Sequence, residues 1–314
     1  MVSPRILLIS STLDFSTDYI AVGLGQLGVP FVRLNRDTLA DSEINFFPTK
    51  RTLEYRSKQL RFSISDSKLK AVYYRAPTFL RELGNQNLTL NEKLVVSQWA
   101  TFCRALSVFE KAKWINWPAA TYLAEIKPYQ LSMAEKIGFK IPNTIITNNQ
   151  TAAKKIKSKT IAVKSLDTIV VSGKNKTGFF YTTEFKKTEL SKFAMQKTPV
   201  IIQSFLKEKI DIRVTVVGKK IFSVKILCDG FGVEGDWRLK KANLRYIPFD
   251  LPNDIKRKCF ALTKRLGLVF GAIDFVLVKG KYYFLEINPT GEWSWLLDTA
   301  KLPIDSAIIR ELTL

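Results

Sequence analysis

The sequence predicts an α/β protein. Three observations carry that reading: a strand–helix–strand pattern at the start, two hairpin patterns in the last third, and a composition able to fill a sizeable core. Of 314 residues, 46% are hydrophobic and 12% aromatic, which argues against wholesale disorder. Arg5–Ser10 is a continuous apolar run, as in a strand buried on both faces. Thr17–Leu27 has helical spacing, with Asp14, Ser16 and Thr17 available as caps, and Pro30–Leu34 reads as a second strand. Glu54–Ser65 and Ala71–Arg75 are strand-like, Leu88–Glu110 is helical, and Trp114–Pro118 closes a first unit.

Thr121–Gly138 has the spacing of one helix, and Ile161–Ser165 that of a strand. Ser172–Gly178 reads as a lysine-rich loop, after which Phe179–Thr182 resumes a strand. Val200–Phe205 is a further strand. Ile212–Val217 and Ile221–Ile226 form one hairpin, Gly271–Val278 and Lys281–Ile287 another, with a helix at Asp254–Leu266 between them. The units expected are 1–114, 115–199 and 200–314.

Composition narrows the chemistry. The chain has no histidine, which excludes Ser-His-Asp and Cys-His catalysis, His-ligated zinc and imidazole acid–base chemistry. Its three cysteines are scattered, without metal spacing or a disulfide framework, so a reducing, cytoplasmic setting is expected. No apolar run approaches the ~20 residues of a membrane span, and the N-terminal segment lacks a signal-peptide cleavage pattern. With 49 Lys and Arg against 28 Asp and Glu, the net charge of +21 suits a polyanionic or acidic partner. A basic nucleic-acid-binding module is one such reading, but no nucleic-acid motif accompanies the charge. A homodimer is the default assembly.

The motif Gly23, Gly25, Gly28 matches a dinucleotide fingerprint in spelling only. It ends a helix, whereas phosphate binding needs it between strand and helix start, so Gly28 is expected as a helix cap. The strongest chemical signal is Gly271–Glu292. Glu286 and Asn288 alternate along a strand and share a face. Asp274 on the partner strand joins them if the turn is the three residues Val278–Gly280; a two-residue turn sends it to the other side. Two carboxylates and an amide oxygen are hard ligands suited to Mg²⁺ shared with phosphates. Lys164 ends an apolar strand, either reaching out to water or meeting a phosphate. Asp211 and Arg213 share a strand face, as a salt bridge or as ribose and phosphoryl contacts. Asp236-Trp237-Arg238 follows a glycine-containing loop and offers a further arginine, or is a surface turn.

In this order and spacing the residues resemble the ATP-grasp superfamily over about 115–298. The carrying motifs are Ile115-Asn116-Trp117-Pro118, Lys127-Pro128-Tyr129-Gln130-Leu131, Ala134, Gly138, Ile141–Thr144, Gln203–Leu206 and Gly271–Glu292. The resemblance implies an ATP-grasp fold, with central and C-terminal α+β subdomains clasping ATP behind an N-terminal α/β domain. It assigns Lys127 and Lys164 to the nucleotide phosphates and the hinge Gln203, Ser204, Phe205 and Leu206 to adenine. Asp211, Arg213 and Arg238 match ribose and phosphate contacts, and Asp274, Glu286 and Asn288 the Mg²⁺ ligands. Ser204 stands where a glutamate often does. The stretches at 9–35, VYYRAP and EINPTGEWSWL are similar to ATP-grasp peptide maturases of the graspetide (microviridin and grasp-with-spasm) type. That resemblance covers nearly the whole chain. It implies activation of Asp or Glu side chains of an acidic precursor peptide, leader plus core, and their closure onto Thr/Ser hydroxyls or Lys amines. A ligase that adds an amino acid to a protein or small acceptor shares the same motifs.

Overall fold

The computed structural model describes residues 3–75, 77, 88–167, 170–173, 176–179, 183–192, 195–240 and 243–314. In the first unit, β1 (Ile6–Ser10), α1 (Phe15–Gln26) and β2 (Phe31–Asn35) form the expected parallel crossover. β3 (Glu43–Phe47), β4 (Thr52–Arg56) and β5 (Arg61–Ser65) make a three-stranded antiparallel sheet. The stretch read as strand-like from Glu54 to Ser65 is thus two strands around a turn closed by Ser57 and Leu60. β6 (Ala71–Tyr74), α2 (Leu90–Ala105) and β7 (Lys113–Ile115) complete a parallel sheet of order β2-β1-β6-β7.

The continuous apolar run of β1 follows from its two cores. Ile6 and Leu8 face one shared with Trp293 and Ile308, while Leu7 and Ile9 face another with Phe62 and Phe109. Gly28 caps α1 as expected. Its φ is +63°, and the amides of Gly28 and Val29 reach back to the carbonyls of Gly25 and Leu24, the paired bonds of a left-handed helix stop. Gly28 thus serves helix termination and Gly23 packing, since a side chain at Gly23 would meet Ile309.

The helix expected at Thr121–Gly138 is two: α3 (Pro118–Ala124) and α4 (Lys127–Ile137). Pro128 is the cause, because it has no amide hydrogen and its ring crowds the carbonyl four residues back, that of Ala124. The break sets Lys127 at the first turn of α4. Next come β8 (Thr144–Thr147), the short α5 (Gln150–Ala153), β9 (Thr160–Lys164), β10 (Val170–Gly173), β11 (Lys176–Phe179), β12 (Thr183–Lys186) and β13 (Val200–Ser204). The supposed loop Ser172–Gly178 falls largely in the antiparallel pair β10–β11, where the strand propensity of Val170, Val171, Thr177 and Phe179 outweighs the loop signal. Of the strand expected at Phe179–Thr182, residues 180–182 lie outside the described residues. The central sheet has order β12-β9-β13-β8. β13, assigned above to the third unit, is a strand of this sheet.

The third unit is a large antiparallel sheet of β14 (Ile210–Val217), β15 (Lys220–Cys228), β16 (Phe231–Gly232), β17 (Leu244–Pro248), β18 (Phe270–Val278) and β19 (Lys281–Asn288). Its order is β16-β15-β14-β18-β19, with β17 also on β15. α6 (Asn253–Arg265) and α4 cover one face, burying Ile212, Val214 and Val216. Residues of opposite parity on β14 point the other way. Val217 enters the core shared with α7 (Trp295–Ala300) and α8 (Ile304–Thr313), while Asp211 and Arg213 line or border a cleft. Among the described residues no helix is long and apolar enough to cross a membrane.

Candidate active site

The β18–β19 hairpin sets the site. Val278 pairs with Lys281, so the turn is the two residues Lys279 and Gly280, at φ +46° and +74°. Such a turn alone would put Leu285 opposite Asp274. The register shifts between Asp274 and Phe275, however, and Asp274 faces Glu286. Leu285 is the extra residue of a β-bulge. The carboxylates therefore share a face, as the sequence suggested, through the bulge rather than the longer turn.

Cations ring this pair. Arg213 is opposite Asp274 on β14, its Nε 3.3 Å from Asp274 Oδ1. Arg213 Nη1 is buried without a hydrogen-bond partner among the described residues, which suits a group awaiting an anion. Burial pushes the Asp274 carboxyl up; Arg213 opposes this and Glu286 adds to it. Burial also works against ionised Glu286, but Lys164, Lys127 and Arg238, with a hydrogen bond from Asn288, hold its carboxyl below the usual value. Lys164, at the end of β9, is lowered by burial and by the neighbouring cations Lys127 and Arg238, against the pull of Glu286. Lys127 Nζ donates to the Ser165 carbonyl at 3.3 Å, tying the start of α4 to the end of β9.

An open cleft lies between the central sheet and the large sheet. It is lined by Lys164, Gln203, Ser204, Phe205, Leu206, Asp211, Arg238, Asp274 and Glu286 among the expected residues. Lys127, Arg213 and Asn288 are not among the lining residues, but each acts on one: Lys127 and Asn288 on Glu286, and Arg213 on Asp274. Ala162, Ile212, Phe275, Val276 and Leu285 supply apolar walls. The Gln203 side chain donates to Thr144 Oγ1 at 2.9 Å and is buried, so it braces the hinge strand.

Several residues escaped the sequence reading. Lys209 pairs with Asp211 inside the cleft, a two-apart strand spacing that was visible. Burial raises the Asp211 carboxyl to about 6 despite Lys209. Asp236 was noted only as a neighbour of Arg238. Its side chain is 4% exposed, and its Oδ1 accepts from the Arg238 backbone N–H and Nε at 3.0 Å each. Burial opposes the charge on Arg238, and Asp236, Asp274 and Glu286 together raise its pKa.

Two buried amides hold the hairpin from outside. Asn116 donates to the carbonyls of Phe270 and Pro289 and accepts from the amides of Val269 and Phe270, at 2.8–2.9 Å. Gln130 donates to the Ile287 carbonyl at 2.8 Å and accepts from its amide at 3.0 Å, standing in for a further strand along the β19 edge. Gln130 also donates to the Ala124 carbonyl at the helix break.

The first unit docks on the same hairpin. Arg75, just after β6, donates to the carbonyls of Thr290 and Gly291 at 2.7 and 3.2 Å and pairs with Asp14 and Glu292 at 3.2 Å each. Ser16 donates to Glu292. The VYYRAP and EINPTGEW stretches are thus in direct contact.

No family model matches the sequence, and no curated protein matches it. Solved structures do. Macrocyclase MdnC from Microcystis aeruginosa MRC, bound with precursor peptide MdnA, aligns at TM-score 0.83 and 22% identity over 98% of this chain and 99% of that one. A RiPP-associated ATP-grasp ligase from Chryseobacterium gregarium, in complex with ADP and a leader and core peptide, aligns at 0.83 and 25% over 100% and 97%. ATP-grasp ligase PsnB, complexed with a phosphomimetic variant of its minimal precursor, Mg and ADP, aligns at 0.79 and 18% over 99% and 100%. This chain has the ATP-grasp fold over nearly its whole length, in the form it shares with RiPP macrocyclases and ATP-grasp ligases.

Proposed function

We propose that this ATP-grasp ligase activates Asp or Glu side chains of a ribosomally made, acidic precursor peptide as acyl phosphates and closes them onto Thr/Ser hydroxyls or Lys amines of the same peptide. The observation that carries the reading is the Asp274–Glu286 pair, set in register inside a cleft with Lys164 and Arg238 and backed by Lys127 and Arg213. Two adjacent, half-buried carboxylates facing four cations suit a polyphosphate with a divalent ion. Asp274, Glu286 and Asn288 are the residues that would hold Mg²⁺, and the donor set, two carboxylates and an amide oxygen, fits it. When bound there, the ion supplies positive charge to the phosphates.

The chain's own groups divide the remaining work. The hinge at Gln203–Leu206 and the apolar walls take adenine. Asp211 accepts from ribose hydroxyls. Lys127 and Lys164 neutralise the phosphate chain, and Arg213 and Arg238 meet the charge developing on the transferring phosphoryl group. The peptide carboxylate attacks the γ-phosphate, ADP leaves, and the nucleophile then displaces phosphate. The net charge of +21 raises encounter rates with an acidic peptide and makes them fall with salt. MdnC, the Chryseobacterium ligase and PsnB were each solved with a peptide, which supports a peptide partner here.

Asp211 gives this reading a pH signature. With its carboxyl raised to about 6, it is ionised above that pH and accepts hydroxyl hydrogen bonds as an anion; below it, the carboxyl is protonated. The ratio of wild-type to Asp211→Asn affinity for ADP, measured by calorimetry, cancels titration of the nucleotide's own phosphate. It should fall as pH drops from about 8 to about 5. A ratio constant across that range contradicts the ribose role.

The function itself is tested by intact-mass analysis of an acidic precursor peptide incubated with the protein, ATP and Mg²⁺. ATP-dependent loss of one water per bond is the expected result. A mass gain assigns the chain to amino-acid addition or phosphorylation instead.

A further inference from the structure

The proposed reaction needs a proton acceptor. A hydroxyl or amine must lose its proton as it attacks the acyl phosphate, and the chain has no histidine to take it. Asp236 stands out in the cleft. One oxygen, Oδ1, holds the Arg238 backbone N–H and guanidinium. The other, Oδ2, is buried and has no hydrogen-bond partner among the described residues. Leaving a buried carboxylate oxygen without a donor costs about 1–3 kcal/mol or more. A site that keeps one is arranged for a donor that arrives with a ligand.

Its surroundings fix what that donor meets. Asp236 lines the same cleft as Asp274 and Glu286, and Arg238 feels Asp236, Asp274 and Glu286 together. Trp237 packs against Tyr246 and Trp295, with ring centroids 6.2 and 5.8 Å apart, so the segment carrying Asp236 is anchored to the large sheet and to α7. Among the other cleft carboxylates, Asp211 is occupied by Lys209, Asp274 by Arg213, and Glu286 by Asn288.

We propose that Asp236 is a catalytic residue of the second step: Oδ2 accepts the hydrogen bond, and then the proton, of the attacking hydroxyl or neutral amine. This rests on the ligase reading above. The balance is simple. The new C–O or C–N bond forms, the bond from the acyl carbon to the phosphate oxygen breaks, the nucleophile's proton passes to Asp236, and it leaves with the departing phosphate. No other reactant is needed.

Asp236→Asn separates this role from others, because the amide keeps an oxygen for Arg238 while replacing Oδ2 with a donor. The acidic precursor peptide, ATP and Mg²⁺ are incubated with wild type or variant, with and without hydroxylamine. Hydroxylamine, neutral and strongly nucleophilic near pH 7, traps an acyl phosphate as a hydroxamate with little need of a base. The expected result is hydroxamate formation at the wild-type rate and ring closure slowed by about a hundredfold or more. ADP affinity should be unchanged, and Asp236→Glu should restore part of the closure rate. Hydroxamate and closure falling together overturn the proposal, since Asp236 then serves nucleotide binding or the first step. Weakened ADP binding overturns it in favour of a ribose contact, and closure at the wild-type rate overturns it outright. Wild type that binds ADP but gives neither hydroxamate nor ring overturns the ligase reading and this role with it.

Discussion

Asp274→Asn and Glu286→Gln should each lower ATP-dependent peptide modification by at least about a thousandfold, the scale expected when phosphate-clamping charge is removed from a dry site. Asp274→Asn should do so without destabilising the protein. The Asp274 carboxyl is raised by burial and by Glu286, so its ionised form works against the fold above its unfolded pKa. Exchanging it for a neutral isostere relieves that repulsion, while Arg213 keeps an oxygen to contact. For Asp274→Asn, activity and stability should therefore part company, with turnover lost and the melting temperature equal or higher; Glu286, whose carboxyl its cations hold below the usual value, should lose some stability when neutralised. That pattern marks a group held for chemistry rather than for the fold. Retained turnover in either variant, or a large drop in melting temperature with lost turnover in Asp274→Asn, would contradict the assignment; steady-state kinetics beside calorimetric melting decides it.

Asn116→Ala should be the most damaging change to the fold among the residues discussed. Its amide satisfies four backbone groups at the start of β18 and just after β19, and the residue is 1% exposed. Removing it strands buried donors and acceptors, each worth about 1–3 kcal/mol when unpaired; partial relaxation brings the expected loss to about 3–5 kcal/mol. Urea unfolding reads this directly, and a loss under about 1 kcal/mol would mean that water replaces the amide. Because Asn116 ties down both ends of the hairpin carrying Asp274 and Glu286, Mg²⁺-dependent turnover should weaken alongside stability.

These two predictions differ in how readable their residues were. The shared face of Glu286 and Asn288 follows from strand alternation, whereas Asp274 joins them in the sequence only through a three-residue turn that the structure does not have. The means of bringing them together was not legible. Gly280 pointed to a longer turn, whereas the extra residue is Leu285, whose apolar side chain gives no sign of a bulge. The split between α3 and α4 was legible in Pro128, yet the surrounding helical spacing masked it. Asn116 and Gln130 carried resemblance without an evident role, because their partners are backbone groups some 150 residues or more away. No local pattern encodes such a bond. Asp236 was hidden for the same reason: its neighbours spell a turn, and only the packed structure buries its second oxygen. The fold, by contrast, rests on long apolar periodicities and punctuation that a single sequence displays, and the parallel opening, β9 and β13 of the central sheet and both C-terminal hairpins follow from them.

On the proposed function, this cleft transfers the γ-phosphoryl group of ATP to a peptide carboxylate before the ring closes. Oxygen-18 placed in the side-chain carboxylates of the acidic precursor tests it most directly. With the protein, ATP and Mg²⁺, mass spectrometry should find one labelled oxygen in inorganic phosphate for each water lost by the peptide. Label that stays with the peptide while water is lost, or phosphate released without label, would contradict an acyl phosphate and, with it, the roles assigned to the Asp274–Glu286 pair and its ring of cations.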